Sequence, residues 1–423
     1  MTTEDRVNKG KMRYQVSANN KNITGTINLP ASKSISNRAL IINALNYSPF
    51  PLRNLSDSDD TKVLAAALNS NTNKFDIGHA GTAMRFLTAF LAKIVGEWEI
   101  TGSERMQQRP IGILADALIQ LGARIEYTQN EGCPPLKILG SHLKGKTIEL
   151  DGSISSQYIS ALLLIAPTIE NGLTLKLTGA ITSRSYILLT LELMAKFGIQ
   201  YQWKENEISI REQHYFPMDF TVEADWSGAS YWYQILALVE TGEILLENLQ
   251  LKSLQGDAQI SSWFEQFGVF STQKEDGILL SKKEIITPEK LTLDFIENPD
   301  MAQTMACLCV AKEIPFHFTG LKTLKIKETD RIDALQKELA KFGAVLTEPT
   351  NGELAWNGEI DVTIKIENPI IETYHDHRMA LSFAPMALAG INLQINEPMV
   401  ITKSYPNFWE DLRTVGFEVS ETL

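Results

Sequence analysis

Cationic and hydroxyl side chains gather in several short stretches of this chain, each where the local pattern opens a helix. In Leu29-Pro-Ala-Ser-Lys33-Ser34-Ile-Ser-Asn-Arg38, a proline-containing loop precedes an apolar run, and Ser34 and Arg38 share one helical face. Unpaired N–H groups at a helix start, the positive end of its dipole and two cations together suit an anion. Gly78-His-Ala-Gly81-Thr82-Ala-Met-Arg85 repeats the theme, with glycines for close backbone approach and Thr82 expected to cap a helix carrying Arg85 in its first turn. In Gln107-Gln-Arg109-Pro110 the proline is expected at the first helical position. Ser155-Ser156-Gln157-Tyr158 and Thr182-Ser183-Arg-Ser-Tyr186 open helices with polar groups able to bond hydroxyl or phosphate oxygens. Gln255-Gly-Asp257, Asn298-Pro-Asp300, Lys327-Glu328-Thr-Asp-Arg331 and His375-Asp-His377-Arg378 mix both charges. Each stretch alone reads equally as a capped, solvated helix end, so the signal lies in their company. His375 and His377 have no third His or Cys at a zinc-type spacing, so no metal is expected.

The elements that must position these residues recur. Amphipathic helices end in Gly122, Gly198, Gly268, Gly343 and Gly416, each followed by an apolar strand-like run, at intervals of 70–76 residues. Glycine suits the left-handed residue just past a helix C-terminus, where a side chain would clash. A sixth, less regular copy at Asp60–Leu68 is followed by asparagines in place of the glycine. Alternating runs at Gly172–Gly179 and Gly242–Leu249 read as strands, and Tyr158–Pro167 as a buried helix. The pattern predicts repeated α/β units.

Composition sets the outer bounds. The chain has 423 residues, 44% hydrophobic and 21% charged, which predicts two or three ordinary globular domains. Its net charge of −12 argues against a surface that tracks nucleic acid or anionic membrane. Cys133, Cys307 and Cys309 make no disulfide framework. With no export signal or membrane-length apolar run, a cytoplasmic setting is expected.

In order and over essentially the whole length, the chain resembles the 5-enolpyruvylshikimate-3-phosphate synthase family of enolpyruvyl transferases. The specific matches are Ser32-Lys33-Ser34-Ile-Ser-Asn-Arg38, Ala80-Gly81-Thr-Ala-Met-Arg85, Lys327-Glu328-Thr-Asp-Arg331 and Asp376-His377-Arg378-Met379. The resemblance implies a two-domain, inside-out α/β barrel, each domain built of three βαβαββ-type units with helices inside and sheets outside. One domain would comprise 1–30 plus 225–423 and the other 31–224, with the active site in the cleft between them. It also implies transfer of the enolpyruvyl group of phosphoenolpyruvate to the 5-hydroxyl of shikimate 3-phosphate, with no cofactor, no nucleic-acid or membrane partner, a monomeric chain, and closure of the domains on the substrates. The sister UDP-N-acetylglucosamine enolpyruvyl transferases typically place a cysteine on the loop before their Arg-Pro, and Gly102–Arg109 has none.

Residue by residue, the resemblance assigns Ser34 and Arg38 to the ring hydroxyls and carboxylate of shikimate 3-phosphate and Ser155, Ser156 and Ser183 to its phosphate. Gln157 and Tyr186 lie nearby, and Lys33, Asp300 and Lys327 also touch this substrate. Phosphoenolpyruvate would be held by Lys33, Gly81, Arg85, Arg109, Gln157, Arg331, Arg378 and Lys403. Asp300 matches the family's candidate base and Glu328 its candidate proton donor, with Lys327 and Lys33 stabilising developing charge. Three positions depart from the family pattern: His79 for an Asn, Phe86 for a Pro, and Thr323 for an Asn that touches shikimate 3-phosphate.

Overall fold

The computed structural model describes residues 12–153 and 155–422. The chain forms two compact units. The first takes the chain up to Pro30, then Ala224–Leu251 and everything from Asp257; the second takes Ala31–Glu223 together with Lys252–Gly256. The short segment Lys252–Gly256, expected from the sequence to belong to the first domain, is held in the second unit by side chains. Ser253 Oγ and Gln255 Nε2 donate to Glu223 at 2.5 and 2.9 Å, and Ser32 Oγ donates to Gln255 Oε1 at 2.9 Å.

The second unit shows the repeat most plainly. Strand Lys74–Asp76 runs parallel to Gly96–Thr101, and between them the chain passes through helix Gly81–Lys93. Helix Gly112–Gln120 then leads to the hairpin Arg124–Tyr127 and Leu136–Gly140, which completes a βαβαββ sequence. The same order returns in Thr147–Asp151, Ser156–Ile165, Leu173–Thr178, Arg184–Lys196, Tyr201–Lys204 and Glu207–Ile210. The first unit repeats it around helices Ala302–Ala311, between parallel strands Leu291–Asp294 and Phe316–Thr319, and His377–Phe383, between Ile370–Ile371 and Leu393–Asn396. A parallel pair needs such a crossover because its two strands start from the same end.

Which layer is inside follows from burial. Strands Leu136–Gly140 and Thr147–Asp151 alternate buried and exposed residues, so each sheet shows one face to solvent. The crossover helices are buried nearly all round: only Phe90 and Lys93 of Gly81–Lys93 and only Ala311 of Ala302–Ala311 are partly exposed. Some polar side chains of the helical layer find partners there, as where Gln234 Nε2 in helix Trp226–Leu238 donates to Ser382 O at 3.0 Å. Each unit thus has its own core of inward sheet faces wrapped on helices.

All five repeat glycines have left-handed φ, between 78 and 109°. Two of the expected copies differ in detail. Asn69 has a φ of −97° and satisfies the helix end through its side chain, Nδ2 donating to Ala65 O at 2.9 Å, so no asparagine takes over the glycine's conformation there. After Gly343 the chain makes only isolated bridges, Ala344 to Ile360 and Thr347 to Ala355, in place of a regular strand.

Candidate active site

In open α/β sheets, ligand sites form beyond the carboxyl ends of the parallel strands, where the crossover helices begin. The candidate residues sit there. In the second unit, Ser32 caps helix Lys33–Leu45 by accepting from Ile35 N, and Ser155 caps Ser156–Ile165 by accepting from Gln157 N. Ser183 precedes helix Arg184–Lys196 with a φ of 52°, and its hydroxyl is not spent on the cap.

Arg38 brings three of these helix starts together. Its Nη1 donates to Ser34 O at 2.8 Å, its Nε to Thr190 Oγ1 at 2.7 Å, and its Nη2 to Ser160 Oγ at 3.1 Å and Tyr186 O at 3.5 Å. Burial lowers its pKa to about 10, so it stays cationic at neutral pH. The fourth helix start joins through Gln157 Nε2, which donates to Thr82 Oγ1 at 3.3 Å. Thr82 is therefore not the cap that its sequence position suggests. The helix starts at Gly81, and its cap lies two residues before Thr82, at Ala80, which lacks a side-chain bond. Likewise Pro110 lies outside its helix, which begins at Gly112. Its carbonyl accepts from Arg85 Nη2 at 3.1 Å and from Tyr158 Oη, while Arg85 Nη1 donates to Gly81 O at 3.1 Å. Arg85 thereby ties the Gly81 turn to the Arg109-Pro110 turn.

Arg109 lies against Gly81 so closely that a Cβ there would stand 2.7 Å from its Nη1. Arg109 is buried, and its Nε has no hydrogen-bond partner among the described residues. Neither Arg38 nor Arg109 has a carboxylate within ion-pair distance among the described residues. Buried cations without carboxylates suit anions from solution.

The first unit builds its cluster differently. Asp330 caps helix Arg331–Ala340 and Asp376 caps His377–Phe383. Arg331, 2% exposed, donates from Nη1 to Asp300 at 2.8 Å, from Nη2 to Glu328 at 3.1 Å and from Nε to Asp376 at 2.7 Å. Such burial removes the solvated-face reading of Lys327–Arg331. Arg378 Nη2 meets Asp300 Oδ2 at 2.9 Å, Lys327 Nζ lies 3.6 Å from Asp300, and Lys403 Nζ donates to Glu328 at 2.7 Å. Burial of Asp300 would raise its pKa, but Arg378, Lys327 and Arg331 outweigh it and hold the carboxyl well below its usual range. Behind this layer, Asp257 accepts from Ser227 Oγ at 2.6 Å and Asn298 Nδ2 at 3.1 Å, and Ser227 Oγ in turn accepts from Arg378 Nη2 at 3.4 Å. Burial pushes the Asp257 carboxyl up.

Asp376 and Asp257 carry no role that sequence alone assigns, although both lie in the mixed-charge stretches; adjacency to a needed arginine is the available signal. Thr323 is half-buried and its hydroxyl has no hydrogen-bond partner among the described residues. His79 is exposed, with Nδ1 2.9 Å from Ser103 Oγ. His375 pairs with Glu397 at 2.9 Å while His377 is buried, and no group of three potential metal ligands occurs among the described residues. No helix among them is long and apolar enough to cross a membrane.

Comparison with known proteins bears on this arrangement. The model of the EPSP synthase (3-phosphoshikimate 1-carboxyvinyltransferase) family matches residues 18–73 and 66–412. A 3-phosphoshikimate 1-carboxyvinyltransferase of Bacteroides fragilis (strain YCH46) is 52% identical over 412 residues, covering 96% of this chain and 99% of the relative. One from Aliivibrio fischeri (strain ATCC 700601 / ES114) is 36% identical over 427 residues, covering 93% and 97%. Among solved structures, EPSP synthase from Acinetobacter baumannii superposes with a TM-score of 0.76 at 21% identity, covering 97% of this chain and 100% of that one. The enolpyruvyl transferase NikO from Streptomyces tendae does so with 0.73 at 14%, covering 97% and 99%.

Proposed function

The chain belongs to the EPSP synthase family and carries out the enolpyruvyl transfer of the shikimate pathway; we propose that the two clusters just described divide its substrates between them. Shikimate 3-phosphate is taken by the second unit, through Lys33, Ser34, Arg38, Ser155, Ser156, Gln157, Ser183 and Tyr186, with Asp300 and Lys327 reaching its reacting hydroxyl. Phosphoenolpyruvate is taken by Arg331, Arg378 and Lys403 of the first unit and by Lys33, Gly81, Arg109 and Gln157 of the second. Arg85 serves this group by fixing the turns that carry Gly81 and Arg109. Arginine forks orient carboxylate and phosphate groups in two directions at once, which one point charge cannot do.

The reaction adds the 5-hydroxyl to C2 of phosphoenolpyruvate while C3 gains a proton, then expels phosphate as C3 returns a proton. Asp300 takes the hydroxyl proton, and Glu328, held by Arg331 and Lys403, exchanges the proton with C3. The observation that carries this reading is Asp300 set against Arg331, Arg378 and Lys327. Three cations make it a weak base in the free protein. Phosphoenolpyruvate draws Arg378 toward its own charges, and Asp300 becomes more basic as the substrate arrives. The protein is proposed to act as a monomer in the cytoplasm without a cofactor.

The test is phosphate release from phosphoenolpyruvate in chelator, with shikimate 3-phosphate or UDP-N-acetylglucosamine as acceptor. Turnover is expected with the first only; release with the second alone would defeat the assignment.

A further inference from the structure

Ser160 lies within the otherwise apolar helical run Tyr158–Ile165 and Thr190 on the buried face of helix Arg184–Lys196, and both are fully inaccessible to solvent. Their hydroxyls lie 2.8 Å apart, Thr190 Oγ1 donates to Tyr186 O at 2.9 Å, and both oxygens accept from Arg38. The proton order is consistent: Ser160 donates to Thr190, Thr190 to the Tyr186 carbonyl, and the guanidinium to both. The Arg38 guanidinium lies over the ring of Phe86, 5.4 Å from guanidinium carbon to ring centroid, within reach of a cation–π contact. A guanidinium has five N–H groups. The bonds to Thr190, Ser34, Ser160 and Tyr186 occupy four, leaving one on Nη1 for a ligand.

We infer that Ser160, Thr190 and Phe86 are positioning residues that fix the plane of Arg38, so that a single N–H meets the anionic ring substrate. The inference rests on the assignment of Arg38 to shikimate 3-phosphate. It also gives a specific role to Phe86, one of the departures from the family pattern, because its ring supplies a face for the guanidinium that proline could not.

Steady-state kinetics on Thr190→Val, Thr190→Ser, Phe86→Leu and Arg38→Gln, each checked for folding by circular dichroism, test this. Thr190→Val is expected to raise KM for shikimate 3-phosphate about tenfold, the size of one lost hydrogen bond to a charged group, with KM for phosphoenolpyruvate within about twofold. Thr190→Ser keeps the hydroxyl and is expected to restore the wild-type value; Phe86→Leu is expected to raise it about threefold. If Arg38→Gln raises this KM and Thr190→Val does not, the positioning role is overturned while the assignment of Arg38 stands. If Arg38→Gln leaves it unchanged, the assignment fails and the inference with it. Equal rises in both KM values, or no rescue by serine, would show a general disturbance of the fold and overturn the role. Should Thr190→Val not fold, Ser160→Ala, a smaller change, carries the same test.

Discussion

Asp300 accepts from two arginines and lies beside a lysine. Its folded pKa lies below the unfolded value of about 3.9, so its contribution to stability is present above that value and is lost as pH falls through the folded pKa. Asp300→Asn is therefore expected to cost about 3 kcal/mol at neutral pH, as breaking a buried pair does, and to flatten the loss of stability on acidification below about pH 4. Urea midpoints from pH 7 to 3 measure both, and kcat is expected to fall at least about 100-fold. Unchanged turnover would remove Asp300 as the base. At Gly81, a methyl group would stand 2.7 Å from Arg109 Nη1, the far end of a flexible side chain. Gly81→Ala is expected to leave stability unchanged or slightly raised, because alanine favours helix, while moving the guanidinium and raising KM for phosphoenolpyruvate about tenfold. The cations and acids of the site were legible in the chain because their types are rare in apolar surroundings. Which acid faces which cation was not: Arg331 and Asp376 are joined by a bond across 45 residues.

At the scale of the element, helix ends were legible from glycine and helix starts less so. The five repeat glycines adopt left-handed backbone because no other residue does so without steric cost. Their environments differ, and so should their substitutions. At Gly122 a Cβ would have only His142 O near it, 3.8 Å away, whereas at Gly268 it would lie 2.1 Å from Lys283 O. Gly122→Ala is expected to cost about 1–2 kcal/mol from backbone strain alone, and Gly268→Ala distinctly more. Chemical denaturation should rank them in that order; the reverse order would show that packing around Gly122 is tighter than its geometry states. The starts expected at Thr82 and Pro110 each differ from the structure by two residues, because side-chain and carbonyl oxygens there bond partners from other segments. Thr82 found Gln157, and Pro110 offers its carbonyl to Arg85 and Tyr158.

For the molecule as a whole, the two units differ in how their cations are balanced. In the first, Lys327, Arg331, Arg378 and Lys403 all reach Asp300 or Glu328. In the second, Arg38 and Arg109 bond only neutral partners or none among the described residues. Shikimate 3-phosphate binding, followed by calorimetry, is therefore expected to survive Arg378→Gln within about threefold and to weaken at least about tenfold in Arg38→Gln, while turnover falls in both. Equal weakening would show that the substrates are not divided between the clusters. The net charge of −12 belongs to the exterior and says nothing against such small anionic substrates. By itself the sequence determined the repeated α/β plan and the family it matches, and it named candidate anion-handling residues, because periodicity, helix-end glycine and charge are local properties. Only the tertiary structure decided which acids balance which cations, that Arg38 is held by Ser160, Thr190 and Phe86, and where Lys252–Gly256 belongs. Those are contacts between segments far apart in the chain, and they come from burial, which leaves a polar group no partner except the one folding brings to it.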